Sequence, residues 1–524
     1  MNASNKPDLK RSLTAARGHY RNQQKPQHTL SDLGAFPPTT MKTKIVCTLG
    51  PASSSEEVLR ELILAGMDMV RLNFSHGTHE EMEAIFSTVR RISSEFSEQV
   101  SILCDIQGPK IRTGKVKEAF NVDVGDHIDV TADSVLGTPE CVQIKYPHMM
   151  EDLDVGDKIF INDGIVKLRV EAKKARSLAC VVEAGGQISD HKGCNIPKGK
   201  LSLNIITEKD KKDLELIAKL NPEYVAASFI GNGADVEKVR SCLRDFGNTD
   251  VKIMAKVERP GALDCIDEII SASDAIMVAR GDLGVEIPTW GVPAAQKDIV
   301  RKCNREGKPV IVATQMLESM TLAQRPTRAE ASDVFNAVLD GADAVMLSGE
   351  TSVGKFPVIC VKTMDSIVGE AERFMESRNP DHYDSANPGN AELMGHGCFT
   401  MAKQFNAQGI SGKIVTIATT GYSTRMVSKY RPNIPILAFT ANLRAARELN
   451  VVWGVQSIYS PLVTGDSVEE KARNAIKMGL DLDLIDKNDH VIVVASSHLA
   501  PSSGVFSGIY SVNDLLAEAP DTTH

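Results

Sequence analysis

A chain of 524 residues is too long for one hydrophobic core, so about two to four domains are expected. An apolar share of 42% and a charged share of 24% are ordinary for a soluble globular protein, and no apolar run approaches the roughly 20 residues of a membrane span. The net charge of −9, from 59 basic against 68 acidic residues, argues against a general nucleic-acid binder and leaves room for local basic pockets.

Residues 1–40 are rich in Ser, Asn, Gln and Pro and carry six basic residues against Asp8 and Asp32. They lack the apolar centre of a secretory signal and read as a solvated, flexible arm. The acid-poor stretch from Leu9 to Arg17 keeps an organelle-targeting segment open as the alternative to a cytoplasmic location. The ten cysteines stand singly, with no Cys-x-x-Cys pair, which fits reduced thiols in a cytosol-like compartment.

From Met41 onward, short β-rich runs alternate with helical patterns. Strands are expected at Lys44–Thr48, Met69–Phe74 and Ser101–Asp105, with helices from Glu56 to Ala65 and from about His79 to Ser93. After an interruption come strands at Tyr224–Phe229, Lys252–Glu258, Ala275–Ala279, Pro309–Thr314 and Ala344–Leu347. Thr327-Arg328-Ala329-Glu330 is a capping box ahead of Val334, Ala337 and Val338. Eight strand–helix units suggest a closed (β/α)8 barrel, spanning 41–106 and 204–374; an open doubly wound sheet is the alternative.

The interruption, 107–203, alternates at period two, as in Val166-Lys167-Leu168-Arg169-Val170-Glu171. Val124-Gly125-Asp126-His127-Ile128 recurs loosely as Val155-Gly156-Asp157-Lys158-Ile159. It reads as a small inserted β domain, leaving from the carboxyl end of a barrel strand, where a mobile cap would cover a site. Past a polar linker at 377–383, residues 375–524 read as a smaller α/β domain, with strands at Lys413–Ala418, Ile434–Phe439 and Val491–Ala495.

Lys256 and Glu258 share one face of the fifth strand, because strand side chains alternate. Buried charges are costly unless paired or holding a ligand. A plain internal ion pair would satisfy them. So would a site: with Asp282, two carboxylates suit a hard divalent cation, and a nearby lysine suits an oxyanion. Other chemistry-bearing residues gather at strand ends: Arg71 and Asn73, Asp105 and Arg112, Gly281, Thr314 and Ser348. Each alone is unremarkable. Together they describe a pocket with two guanidiniums, a lysine, a carboxylate pair and a hydroxyl, suited to a phosphorylated carboxylic acid with a divalent cation.

The runs Val70-Arg71-Leu72-Asn73-Phe74-Ser75-His76-Gly77, Ala313-Thr314-Gln315-Met316-Leu317-Glu318-Ser319-Met320, Pro326-Thr327-Arg328-Ala329-Glu330 and Met346-Leu347-Ser348-Gly349-Glu350-Thr351 resemble the signatures of the pyruvate kinases. The likeness runs from about Lys42 into the C-terminal domain, in the family's order. It implies a barrel with an inserted cap and a C-terminal α/β domain. It also implies phosphoryl transfer from phosphoenolpyruvate to ADP, giving pyruvate and ATP, in a cytoplasmic homotetramer of glycolysis. By the same resemblance Glu258 and Asp282 match ligands of Mg2+ or Mn2+, and Lys256 the lysine beside the phosphoryl group. Arg71 and Arg112 match cations near the phosphates. Thr314, with Ser348, matches the face where a proton reaches carbon. Asn73, His76 and Lys192 match positions near the nucleotide, and Gly281 leaves room at the backbone.

Asn73, Ser75 and Asp105 match the family's monovalent-cation site. Lys110 stands where many members carry glutamate, and an ammonium there would supply the charge that K+ otherwise brings, so activity without K+ is expected. The turn Thr419-Thr420-Gly421-Tyr422-Ser423 resembles the family's effector site for sugar phosphates, while an ordinary strand–helix turn fits it as well. The loop from His498 to Gly504 departs from the Thr/Ser-Asn-Thr run of many regulated members, so fructose 1,6-bisphosphate is not expected to act.

Overall fold

The structure, a computed structural model, describes residues 41–96, 99–162, 164–197, 201–376, 388–465, 467–497 and 504–517. The arm at 1–40, the linker at 377–383 and the loop at 498–503 lie outside the described residues.

Eight parallel strands close on themselves: Lys44–Thr48, Met69–Asn73, Ser101–Asp105, Tyr224–Ala227, Lys252–Val257, Ala275–Ala279, Val310–Ala313 and Ala344–Leu347. The first pairs with the last from Lys44↔Ala344 to Cys47↔Leu347, which makes a barrel and excludes the open sheet. Helix starts follow their capping residues. Ser55 accepts from the Val58 amide, and Thr78 and Thr327 form reciprocal capping boxes with Glu81 and Glu330.

Strand alternation sorts the barrel's side chains. Ile45, Cys47, Val70, Leu72, Ile253 and Val257 pack outward against the helices. Val46, Met69, Leu103, Tyr224, Met254, Met277, Ile311 and Met346 point inward, in one cluster continuous with Ile414, Val427, Ile436 and Leu449 of the C-terminal domain. That domain therefore plugs the barrel's amino end.

The inserted segment has its own core, including Ile128, Val142, Leu168 and Val182. Its six-stranded sheet runs Cys194–Asn195, Lys158–Ile161, Val166–Lys173, Leu178–Ala184, His127–Thr131 and Cys141–Gln143. The loose repeat is a repeated turn. Gly125 and Gly156 have φ of 93° and 95°, a conformation glycine adopts freely, and the carboxylates of Asp126 and Asp157 each accept, at 2.8 Å, the amide three residues earlier.

The C-terminal sheet orders Val455–Tyr459, Ile436–Thr440, Gly412–Ile417, His490–Ser497 and Gly504–Ser511, with the last strand antiparallel. Sequence periodicity marks neither outer strand. Val455–Tyr459 is an edge strand, with one partner and two polar residues among its five. Gly504–Ser511 carries two glycines and two serines, a weak β signal that its pairing with His490–Ser497 overrides. All ten cysteines are free. No helix of the described residues is long and apolar enough to cross a membrane.

Candidate active site

The inward stripe that is apolar at the amino end turns polar at the carboxyl end, two residues on. Val46 gives way to Thr48, Met69 to Arg71, Leu103 to Asp105, Ala226 to Ser228, Met254 to Lys256, and Met346 to Ser348. One period-two rule thus fills the core and aims these groups into the mouth of the barrel.

They bond to one another. Lys256 Nζ lies 2.7 Å from Glu258, 3.3 Å from Asp105 and 2.8 Å from Ser228 Oγ, and these carboxylates are almost fully buried. Arg71 reaches Asp105 at 2.7 Å and Thr48 Oγ1 at 3.0 Å. Glu258 also accepts the Phe229 amide at 2.8 Å, and Phe229 is held at φ 60°, rare for an aromatic residue. The ion pair foreseen between Lys256 and Glu258 exists, as one link of a chain from Thr48 to Phe229.

Electrostatics divide this chain. Burial opposes the charge on Lys256, yet Asp105 and Glu258 outweigh it and hold the ammonium protonated. Burial likewise opposes ionisation of Asp105, and Lys256 and Arg71 overcome it, so its carboxyl titrates below the usual range. Glu258 goes the other way. Burial and the neighbouring Asp282 raise it despite Lys256. A buried carboxylate beside a like charge is the arrangement a divalent cation relieves. Each Glu258 oxygen makes one bond and keeps a lone pair for a metal. Among the described residues no group of three or more acidic, His or Cys side chains is arranged to hold a metal. The residues therefore fit an ion with two protein ligands and the rest of its shell from substrate and water.

Thr314 sits at the end of the seventh strand with φ 69°, followed by Gln315 at 54°. Two successive left-handed residues need outside support, and Arg280 supplies it: its buried guanidinium donates to the Thr314 carbonyl at 2.8 Å and to Asp333 at 2.7 Å. The Thr314 hydroxyl accepts the Gly281 amide at 2.7 Å, and a Cβ on Gly281 would lie 3.3 Å from it. Gly281 is thus fitted to Thr314. Ser348 Oγ is buried without a partner at the end of the eighth strand.

Other expected residues stand apart. Asn73 accepts the Ser75 amide at 3.1 Å, and His76 is exposed. Lys110 is exposed, while Asp105 is committed to Arg71 and Lys256. Arg112 and Lys192 meet on the inserted domain, where Arg112 donates to the His191 carbonyl at 2.9 Å and the Lys192 amide to Thr113 Oγ1 at 2.8 Å. No bond among the described residues ties that pair to the barrel chain. The inserted domain instead touches the barrel's rim through Asn195, which donates at 3.0 Å to Glu286. Burial, with Asp282 and Glu258 near, raises Glu286 to about 7. Gly421, at φ 76°, precedes the helix Tyr422–Lys429, with Thr419 and Thr420 exposed and Ser423 half-buried.

Comparison with known proteins follows the same division. Residues 40–361 match the family described as "Pyruvate kinase, barrel domain", and 394–504 match "Pyruvate kinase, alpha/beta domain". The chain belongs to the pyruvate kinase family. A pyruvate kinase of Geobacillus stearothermophilus is 40% identical over 91% of this chain and 81% of its own length. One from Staphylococcus aureus is 40% identical over 87% and 77%. The crystal structure of a pyruvate kinase from Cryptosporidium parvum superposes with a TM-score of 0.82 at 35% identity, covering 89% of this chain and 96% of that one. Membership makes the protein a phosphotransferase of the pyruvate kinase type and agrees with its barrel, separate curled sheet and C-terminal α/β domain.

Sequence reasoning missed Ser228, Phe229, Arg280, Glu286 and Asn195. Ser228 was readable from parity with Ala226. The left-handed turn at Phe229 has no sequence mark.

Proposed function

We propose that this chain transfers the phosphoryl group of phosphoenolpyruvate to ADP, giving pyruvate and ATP, with Mg2+ or Mn2+ held by Glu258 and Asp282. The observation that carries the reading is the buried Lys256, set between Asp105 and Glu258 at the barrel's carboxyl end and kept charged there. When bound, the divalent ion would draw charge from the phosphate and carboxylate oxygens of the substrate. Lys256 offsets charge growing on the transferring group and on the enolate left behind. Arg71, oriented by Asp105 and Thr48, directs its remaining donor capacity to phosphate. Thr314 is too weak an acid to protonate carbon unaided; its fixed hydroxyl orients water, with Ser348 as the second hydroxyl. Arg112, Lys192, Asn73 and His76 take the nucleotide and its phosphates once the cap closes over the barrel.

The domain limits carried by this reading are 41–106 and 204–374 for the barrel, 107–203 for the cap and 375–524 for the C-terminal domain. A cytoplasmic homotetramer is the assembly and location that family resemblance favours. A coupled assay with phosphoenolpyruvate, ADP and Mg2+ tests the activity; purified protein that makes no pyruvate under those conditions would falsify it.

Independence from K+ rests on Lys110 replacing the glutamate of many relatives beside Asn73, Ser75 and Asp105. Replacing K+ by tetramethylammonium at equal ionic strength should leave the rate nearly unchanged, and Lys110→Glu should create a K+ requirement. A large loss of rate in the unaltered protein refutes the reading.

A further inference from the structure

Lys256 meets as many partners as it has N–H donors: Glu258 at 2.7 Å, Asp105 at 3.3 Å and Ser228 Oγ at 2.8 Å. Two of the three are charged and almost fully buried. Parting from either would strand a carboxylate in the barrel mouth. Ser228 is the neutral partner. It stands at the carboxyl end of the fourth strand, two residues past Ala226 on the inward stripe, and is only 3% exposed.

The serine is itself held from the other side. Its hydroxyl donates at 2.8 Å to the carbonyl of Ile106, the residue between the third strand and the crossing into the inserted domain. Gly108, at φ 68°, closes on it: a Cβ there would lie 2.9 Å from the Ser228 Cβ. The Gly108 amide in turn donates to the fully buried Asp210 at 3.1 Å. Because the one hydroxyl proton goes to Ile106, the Ser228 oxygen faces the ammonium as an acceptor only. Ser228 cannot turn away from Lys256 without losing Ile106.

We propose that Ser228 is a positioning residue for phosphoryl transfer: it holds one N–H of Lys256 away from the two carboxylates and yields it to a phosphoryl oxygen. The inference rests on the role given to Lys256 above. The exchange replaces a neutral acceptor by a charged one, while Asp105 and Glu258 keep the ammonium in place. The serine that yields keeps its bond to Ile106, so no buried hydroxyl is left unpaired. Without the hydroxyl, the third N–H has only the carboxylates to turn to, and each turnover must first draw it away from them.

Steady-state kinetics, calorimetry and thermal melts of the full-length Ser228→Ala and Ser228→Cys proteins test this. Ser228→Ala should lower kcat by about 10–100-fold, the usual effect of losing a group that orients an active side chain. Its affinity for phosphoenolpyruvate with Mg2+, titrated without ADP, should change by less than about threefold, because the bond from Lys256 to substrate survives. Its thermal midpoint should fall by no more than about 4 °C, the share of one buried hydrogen bond. Ser228→Cys keeps the size of the side chain and gives up the good acceptor, so its kcat should fall with that of the alanine variant. An unchanged kcat in Ser228→Ala overturns the proposal. So does an unchanged kcat in Ser228→Cys, which would show that filled space matters and the hydroxyl does not. An unaltered protein that binds phosphoenolpyruvate yet makes no pyruvate ends this inference together with the role of Lys256 beneath it; normal turnover in both variants ends this inference alone.

Discussion

The two ends of the barrel both bury ion pairs, yet they are built differently. At the amino end Arg431 and Asp343 are bound into one network: Asp343 also accepts the amides of Val310 at 3.0 Å and Trp453 at 3.1 Å, and Arg431 lies over the Trp453 ring, with only its Nε lacking an acceptor. At the carboxyl end the charges crowd their own kind, Glu258 against Asp282 and Lys256 against Arg71, and the carboxyls are driven apart in proton affinity. Satisfied charge fixes a domain interface, and charge left in tension marks a place where a ligand belongs. The barrel's chemical polarity follows from this contrast.

The contrast can be broken by removing one cation from each end. Lys256→Met should lower kcat by about three orders of magnitude, since one preorganised electrostatic contact is worth about that much, with far less effect on the half-saturating substrate concentration. Its thermal midpoint should also fall, because the buried Asp105 and Glu258 lose a cation and relief of the crowding with Arg71 offsets only part of that cost. Arg431→Met should lower stability alone. It strands Asp343 in a buried interface, at a cost of about 3–5 kcal/mol, so the thermal midpoint should fall by several degrees while kcat per folded molecule is kept. Steady-state kinetics beside a thermal melt reads both, and equal losses of kcat in the two variants would erase the distinction.

A smaller effect sharpens it. The Glu286 carboxyl titrates at about 7 when folded, against 4.5 for the free group. The folded state therefore holds this proton more tightly than the unfolded chain does. The stability it brings is complete below about pH 4.5 and is lost as pH rises through about 7. Glu286→Gln removes that slope and should be the more stable form above pH 7, by no more than about 3 kcal/mol. Melting curves from pH 5 to pH 8 check the sign; parallel curves for the two proteins would show that Glu286 is ionised throughout.

Much of this was legible beforehand. The eight barrel strands lie within two residues of their expected limits at either end, and the Thr327 cap forms as written, because hydrophobic period and capping chemistry are local. Lys256, Glu258, Asp105 and Arg71 converge because inward parity carries them to the same mouth. What stayed hidden depends on distant partners. Nothing around Arg280 announces that its guanidinium holds the left-handed turn at Thr314 and Gln315. Glu286 becomes unusual because burial at the rim raises it, with Asp282 and Glu258 adding to that, against the bond from Asn195 of the inserted domain.

Arg259 gives the smallest expected effect. In sequence it stands just after the fifth strand, directly ahead of Pro260. In the structure it is 7% exposed, with Nε and Nη1 buried and unpartnered, in space that exists because Gly231 lacks a Cβ: one built there would lie 2.1 Å from Nη2. Two terms oppose on its removal. Arg259→Met releases a poorly solvated cation, which favours folding, and takes from Glu286 the charge that holds its proton affinity down, which disfavours folding above pH 7. Overall stability at pH 7 should change by less than about 1 kcal/mol. The Glu286 midpoint should climb above about 7, extending the pH-dependent window upward. A midpoint that stays in place after the substitution would mean that Arg259 and Glu286 do not interact across the rim.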